Sequence, residues 1–197
     1  MTDHDRTELA RIICERSYLR GTPGTFLLTS GETSSNYFDP YPITSLATAL
    51  PLIGRVFLKE ILRLSEIPPI ACGGPTHGAD PIAQAVAHVS LSELPHPIDL
   101  FSVRLGRKKH GPRNWIEGCP PKGSRVVIVD DAVVTGASAL HAIRRCQDEG
   151  LLIVAAVILI DRGTGGIDAI RRRIPNQPVS AIFSKQELDE LIASNAV

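Results

Sequence analysis

Four consecutive apolar residues, Val126 to Val129, run without interruption into two adjacent carboxylates, Asp130 and Asp131. A half-buried strand alternates apolar with polar residues. An apolar run that does not alternate belongs to a strand covered on both faces. Strands of that kind sit in parallel sheets with helices packed on each side, which removes most other architectures from consideration. Beyond the acids, a short loop ending in Thr135-Gly136-Ala137-Ser138 enters a helix expected over Ala137 to Glu149 and closed by Gly150.

The rest of the chain repeats this alternation. Strands are expected at Ile70–Cys72, Ile98–Val103, Val126–Val129, Leu152–Ile160 and Val179–Phe183, with helices at Asp80–Val89, Gly166–Arg173 and Lys185–Ala193. The order implies an α/β fold: an open, mostly parallel twisted sheet flanked by helices on both faces. Before it come an amphipathic helix over Thr7–Tyr18, two short strands around Phe26–Leu28 and Asn36–Asp39 joined by a polar turn, and a helix over Thr48–Ser65. The 197 residues suit one domain, with residues 1–66 forming a small N-terminal hood and 67–197 the binding core.

Open parallel sheets bind ligands beyond the carboxyl ends of their strands, and each unusual segment here follows a strand. Thr135 to Ser138 offers backbone N–H groups and two hydroxyls at a helix N-terminus, a cradle for a phosphate. Asp130 and Asp131 repel each other unless something positive or hydroxyl-rich lies between them. They suit the vicinal hydroxyls of a sugar and can stabilise positive charge on its ring. The plainer alternative is an acidic turn and a capped helix, with Ser138 or Thr135 as N-cap. Arg104 to Arg113 is strongly basic and contains two glycines. It is either a solvated charged loop or a cationic lid over a polyphosphate. Trp115, just beyond it, is either the anchor of that loop or a core residue. Gly73 to Asp80, glycine-rich and entering a helix, is either a tight structural turn or a close backbone approach to a diphosphate, and Arg162 at a strand end suits a planar acidic group. His141 has no site context in the sequence and reads as a helix residue.

Lys plus Arg and Asp plus Glu both number 21, so no global field recruits nucleic acid or anionic membrane, and any anion site must be local. No apolar run reaches the roughly 20 residues that span a bilayer. The polar N-terminus is unlike a secretory signal. Cys14, Cys72, Cys119 and Cys146 lack metal-ligand spacing and read as reduced thiols of a cytoplasmic protein.

Val126 to Ser138 resembles the phosphoribosyl pyrophosphate (PRPP) signature of the type I phosphoribosyltransferases. Arg104-x-x-x-Lys108-x-His110-Gly111 is similar to the mobile loop of the orotate phosphoribosyltransferases, and the Phe26–Asp39, Gly73–Pro81 and Asp161-Arg162 segments agree in order and spacing. The resemblance implies a reaction of orotate with PRPP that yields orotidine 5′-monophosphate and diphosphate, with Mg2+ bridging the diphosphate and ribose hydroxyls. It also implies roles. Asp130 and Asp131 would hold the ribose hydroxyls and, through them or water, the metal. Val134, Thr135, Gly136, Ala137 and Ser138 would hold the 5-phosphate. Arg104, Lys108, Lys109 and His110 would meet the diphosphate, and Arg162 the orotate carboxylate. A homodimer whose mobile loop reaches the neighbouring site is implied as well.

Leu105 stands where the family's loop carries Lys, Thr29 where many members carry Lys before Ser30-Gly31, and Val134 where Thr is common. Two other readings therefore stay open on the sequence: a phosphoribosyltransferase with a different base acceptor, and a non-catalytic PRPP-binding regulator.

Overall fold

The computed structural model describes residues 3–22, 24–27, 33–34, 36–106 and 114–194. In chain order its elements are α1 (Asp3–Arg16), β1 (Tyr18–Arg20), β2 (Phe26–Leu27), β3 (Thr33–Ser34), β4 (Asn36–Phe38), α2 (Tyr41–Thr44), α3 (Leu50–Leu64), β5 (Ala71–Pro75), α4 (Ala79–Glu93), β6 (Asp99–Val103), β7 (Ile116–Glu117), β8 (Arg125–Val133), α5 (Ala137–Asp148), β9 (Leu152–Asp161), α6 (Gly166–Arg173), β10 (Val179–Ser184) and α7 (Lys185–Ala193).

The main sheet has the order β10-β9-β8-β5-β6-β7. Neighbours from β10 to β6 are parallel, and only β7 runs antiparallel. β5 therefore has β6 on one side and β8 on the other, so the winding reverses between these two crossovers. In sheets of this type the crevice at the reversal is where ligands bind.

β8 shows why its sequence does not alternate. Val127 and Val129 join a buried cluster with Phe57 of α3 and Val86 of α4. Val126 and Ile128 point the other way, into a second cluster with Ile143 of α5 and Ile170 of α6. Helices thus cover both faces, as the apolar run requires. Leu9 and Ile13 of α1 share the first cluster, and so does Leu188 of α7.

Several expected boundaries move. β8 continues through both acids to Val133, because β9 offers a long ladder: Asp130 pairs with Ile158 and Ala132 with Ile160. Backbone pairing here overrides the polarity of the side chains. β5 likewise extends through Gly73 and Gly74, which pair with Phe101 and Ser102, so the turn falls after Pro75 rather than at the glycines. In the N-terminal segment Phe26–Leu27 pairs with Thr33–Ser34. Asn36–Phe38 pairs instead with Tyr18–Arg20, so α1 stops before Tyr18. β7 is two residues long, too short to show a period.

Candidate active site

Asp130 and Asp131 sit at the reversal of winding, beside the carboxyl end of β5. Being consecutive in a strand, they face opposite sides of the sheet. Asp130, only 4% exposed, faces a depression of about 260 Å³ lined by Ala132 to Ala139. Asp131 faces another of about 190 Å³, lined by Tyr41, His77, Gly78 and Asp80 among others. The two acids therefore serve two depressions that share one strand as their wall. Gly78 is what lets the second approach so closely: a Cβ there would sit 2.7 Å from the Asp131 carboxylate.

Neither acid forms an ion pair with a described residue. Asp130 Oδ1 accepts from the Asp131 amide at 3.0 Å, and Asp131 Oδ1 accepts from Ala132 N at 2.6 Å. Burial, reinforced by the neighbouring Asp131 charge, pushes the Asp130 carboxyl well above the usual aspartate range. Burial raises Asp131 as well, with a contribution from the Asp39 carboxylate. A buried acid beside a half-buried one, with no described cation paired to either, is a costly arrangement that a hydroxyl-rich or cationic ligand relieves.

This cost has a measurable sign. Between the ordinary aspartate value, about 3.9, and the raised folded value, the native state binds more protons than the unfolded chain. Stability therefore falls as pH rises through that window, and the penalty is fully present above it. Asp130→Asn keeps an oxygen to accept the Asp131 amide and removes the charge. It is expected to raise the ligand-free Tm near neutral pH, each kcal/mol relieved being worth about 2–4 °C in a chain of this size. The gain should shrink as pH is lowered toward the unfolded value. Differential scanning calorimetry across pH checks this, and a Tm lowered by the substitution at neutral pH would sink it.

The loop after the acids turns directly into the N-terminus of α5. Gly136 is the N-cap of α5 with φ +81°, the left-handed region that glycine occupies without penalty. The first intrahelical bond runs from Leu140 N to Gly136 O at 2.8 Å, leaving the preceding amides at the open end. Thr135 Oγ1 accepts weakly from Ala137 N at 3.4 Å. The loop after β9 supports the cradle from behind: the Thr164 hydroxyl donates to Val134 O at 2.6 Å.

The remaining expected residues divide. Arg104 leaves the end of β6 with its guanidinium in long contacts only, 3.5 Å to Glu117 Oε1 and 3.4 Å to the Gly106 carbonyl. Lys108, Lys109 and His110 lie outside the described residues, as do Thr29 and the Ser30-Gly31 turn. Arg162 starts at the right edge, its amide donating to Val133 O at 3.1 Å. Arg162 also lines a cavity of about 520 Å³ with Lys185, Gln186 and Asp189 of α7. Two relevant residues were not legible in the sequence. Asp39 acts on Asp131 from the far end of the chain, and no local pattern marks it. His141 touches the Arg104 carbonyl, and its position one turn into α5 gave no sign of that.

Among the described residues no three His, Cys, Asp or Glu side chains gather into a metal cage. Adjacent Asp130 and Asp131, neither ion-paired with a described residue, nevertheless fit a hydrated divalent ion shared with substrate oxygens, the way Mg2+ is usually held. Burial pushes the Cys72 and Cys146 thiols up to about 12, so neither is a nucleophile near neutral pH. No described helix is long and apolar enough to cross a membrane.

No protein-family model matches the chain. Relatives and solved structures do. The chain is 39% identical over 184 residues to the orotate phosphoribosyltransferase of Aquifex aeolicus (strain VF5), spanning 93% of this chain and 97% of the relative. The crystal structure of the Mycobacterium tuberculosis H37Rv orotate phosphoribosyltransferase superposes with a TM-score of 0.78 at 34% identity, covering 93% of this chain and 98% of that one. The same enzyme in complex with PRPP gives 0.75 at 32%, covering 94% and 99%. The mostly parallel six-stranded sheet flanked by helices is the fold of the type I phosphoribosyltransferases. Within that class, the chain belongs to the orotate phosphoribosyltransferase family.

Proposed function

We propose that the protein transfers the 5-phosphoribosyl group of PRPP to orotate, releasing diphosphate and forming orotidine 5′-monophosphate for pyrimidine synthesis. The observation that carries this reading is the placement of two adjacent carboxylates on β8, Asp130 buried and Asp131 half-buried, neither ion-paired with a described residue, directly before the glycine-capped N-terminus of α5. Family membership at 39% identity supports the choice of orotate as acceptor.

The C1–O bond to diphosphate breaks with its electron pair going to the leaving group. Orotate N1 supplies the pair for the new C1–N bond and releases its proton. Positive charge grows on the ribose as negative charge grows on the diphosphate, so groups that favour the separated state lower the barrier. At the sheet edge where the two depressions meet, Asp130 from one face and Asp131 from the other hold the ribose hydroxyls and face the growing positive charge. Val134 to Ser138 bind the 5-phosphate, which fixes the ring over the acids. Arg104, Lys108, Lys109 and His110 receive the diphosphate, and Arg162 pairs with the orotate carboxylate. Asp130 and Asp131 would hold a Mg2+ ion through substrate hydroxyls or water, and the ion would supply positive charge to offset that of the leaving diphosphate. In this reading residues 1–66 form a hood over the 67–197 core. The working unit is a cytoplasmic homodimer in which each basic loop serves the neighbouring site.

The test is orotate depletion with PRPP and magnesium, followed together with diphosphate release. Consumption of PRPP with another base and none with orotate would overturn the acceptor. PRPP binding without release from any base would make the chain a regulator instead. Lys108→Ala is expected to lower kcat by about tenfold or more, the scale of one charge-assisted contact made to the leaving group, with Tm within ~1 °C of the parent. A large fall in Tm with little change in kcat would remove Lys108 from the diphosphate site.

A further inference from the structure

The neck of the basic loop is closed by its own backbone, the Arg104 amide donating to the Trp115 carbonyl at 2.9 Å. β7 continues that pairing with Val103 opposite Ile116. The neck is also gripped from a second direction by α5. His141 Nε2 lies 3.0 Å from the Arg104 carbonyl oxygen. Because a carbonyl only accepts, that nitrogen carries the hydrogen. The imidazole meets Trp115 edge-on, ring centroids 5.4 Å apart at 67°. One turn further along, the Arg145 guanidinium lies 3.8 Å from the Trp115 ring centroid, a cation–π contact. His141 and Arg145 are four residues apart and so share one face of α5. The amino end of the same helix is the phosphate cradle.

We propose that His141 is a positioning residue: it fastens the neck of the basic loop, and the Arg104 backbone with it, to the helix that binds the 5-phosphate. The two ends of PRPP then meet parts held in one register, because a rigid helix connects them. The inference rests on the phosphoribosyl reading above and adds a residue that touches no substrate. Its consequence is selective. Loss of the clamp weakens ligands that span cradle and neck, and spares a ligand that uses the cradle alone.

The experiment compares the parent protein with His141→Ala and His141→Gln, since glutamine restores an N–H donor of similar reach. Kd values for PRPP and for ribose 5-phosphate are measured by calorimetry, together with KM and kcat. The loss of one hydrogen bond is expected to raise Kd and KM for PRPP about five- to tenfold in His141→Ala, with ribose 5-phosphate affinity and kcat changed less than about twofold, and His141→Gln recovering most of the loss. Unchanged PRPP affinity in His141→Ala, an equal loss for ribose 5-phosphate, or failure of glutamine to rescue would each overturn the proposal. Trp115 is the only tryptophan in the chain, so acrylamide quenching of its emission reports the clamp without any substrate. Quenching should increase in His141→Ala and return in His141→Gln, and identical quenching in all three proteins overturns the clamp. A parent protein that binds neither PRPP nor ribose 5-phosphate counts against the phosphoribosyl reading instead, and the quenching series still decides whether the clamp exists.

Discussion

Asp131→Asn lowers kcat/KM by about 10²–10³-fold, the scale seen when one group aimed at developing transition-state charge is removed. The substitution leaves the local backbone bond in place, because the asparagine oxygen still accepts the Ala132 amide that Asp131 Oδ1 holds at 2.6 Å. It removes only the negative charge, and with it the attraction for a ribose ring turning positive. The loss is therefore expected mainly in kcat, since a neutral ribose in the ground state gains little from a full carboxylate. Steady-state kinetics with a parallel melting curve checks this. An unchanged kcat/KM removes Asp131 from the chemistry, and a rise in KM alone would make it a ground-state binding group.

Gly74→Ala gives the largest expected loss of stability. A Cβ at Gly74 would sit 2.0 Å from the Val129 carbonyl oxygen and 2.9 Å from the Ala79 Cβ. Neither obstacle is the end of a flexible side chain: one is the backbone of β8, the other the first residue of α4. Relief requires β5 and β8 to move apart at the reversal of winding. We expect a cost of about 3 kcal/mol, the upper part of the range for forced overpacking, and a fall in Tm of about 6–12 °C. Activity should fall with it, because Asp130 follows Val129 directly. Gly106→Ala is the control: a Cβ there meets no described residue within 4 Å and its stability effect should be within about 0.5 kcal/mol. Equal melting of the two variants would refute the packing account.

The glycine pair also shows where reading from sequence loses its grip. Gly73-Gly74 is equally compatible with a tight turn, a ligand approach and a crowded strand. The answer depends on Phe101 and Val129, whose carbonyls would meet the added Cβ atoms at 2.1 and 2.0 Å. The same holds for Asp130 and Asp131. Their types and adjacency were legible, but the continuation of β8 past them depends on the length of β9, and their division between two depressions depends on what packs on each face. Arg162 was legible as a strand-end cation, whereas the cavity it shares with α7 was not.

By itself the sequence determined what repeats along one chain: the doubly covered strand at Val126 to Val129, the alternation of strands with helices, and the full extents of α6 and α7. It also determined which loops carry charge, glycine and hydroxyls, because periodicity and local backbone preference are properties of neighbouring residues. Only the tertiary structure decided which carboxylate faces which depression, why two glycines are required in β5, and that His141 reaches the neck of the basic loop. Those facts come from contacts between residues far apart in sequence. The free energy of such a contact belongs to the pair, so neither partner's local pattern records it.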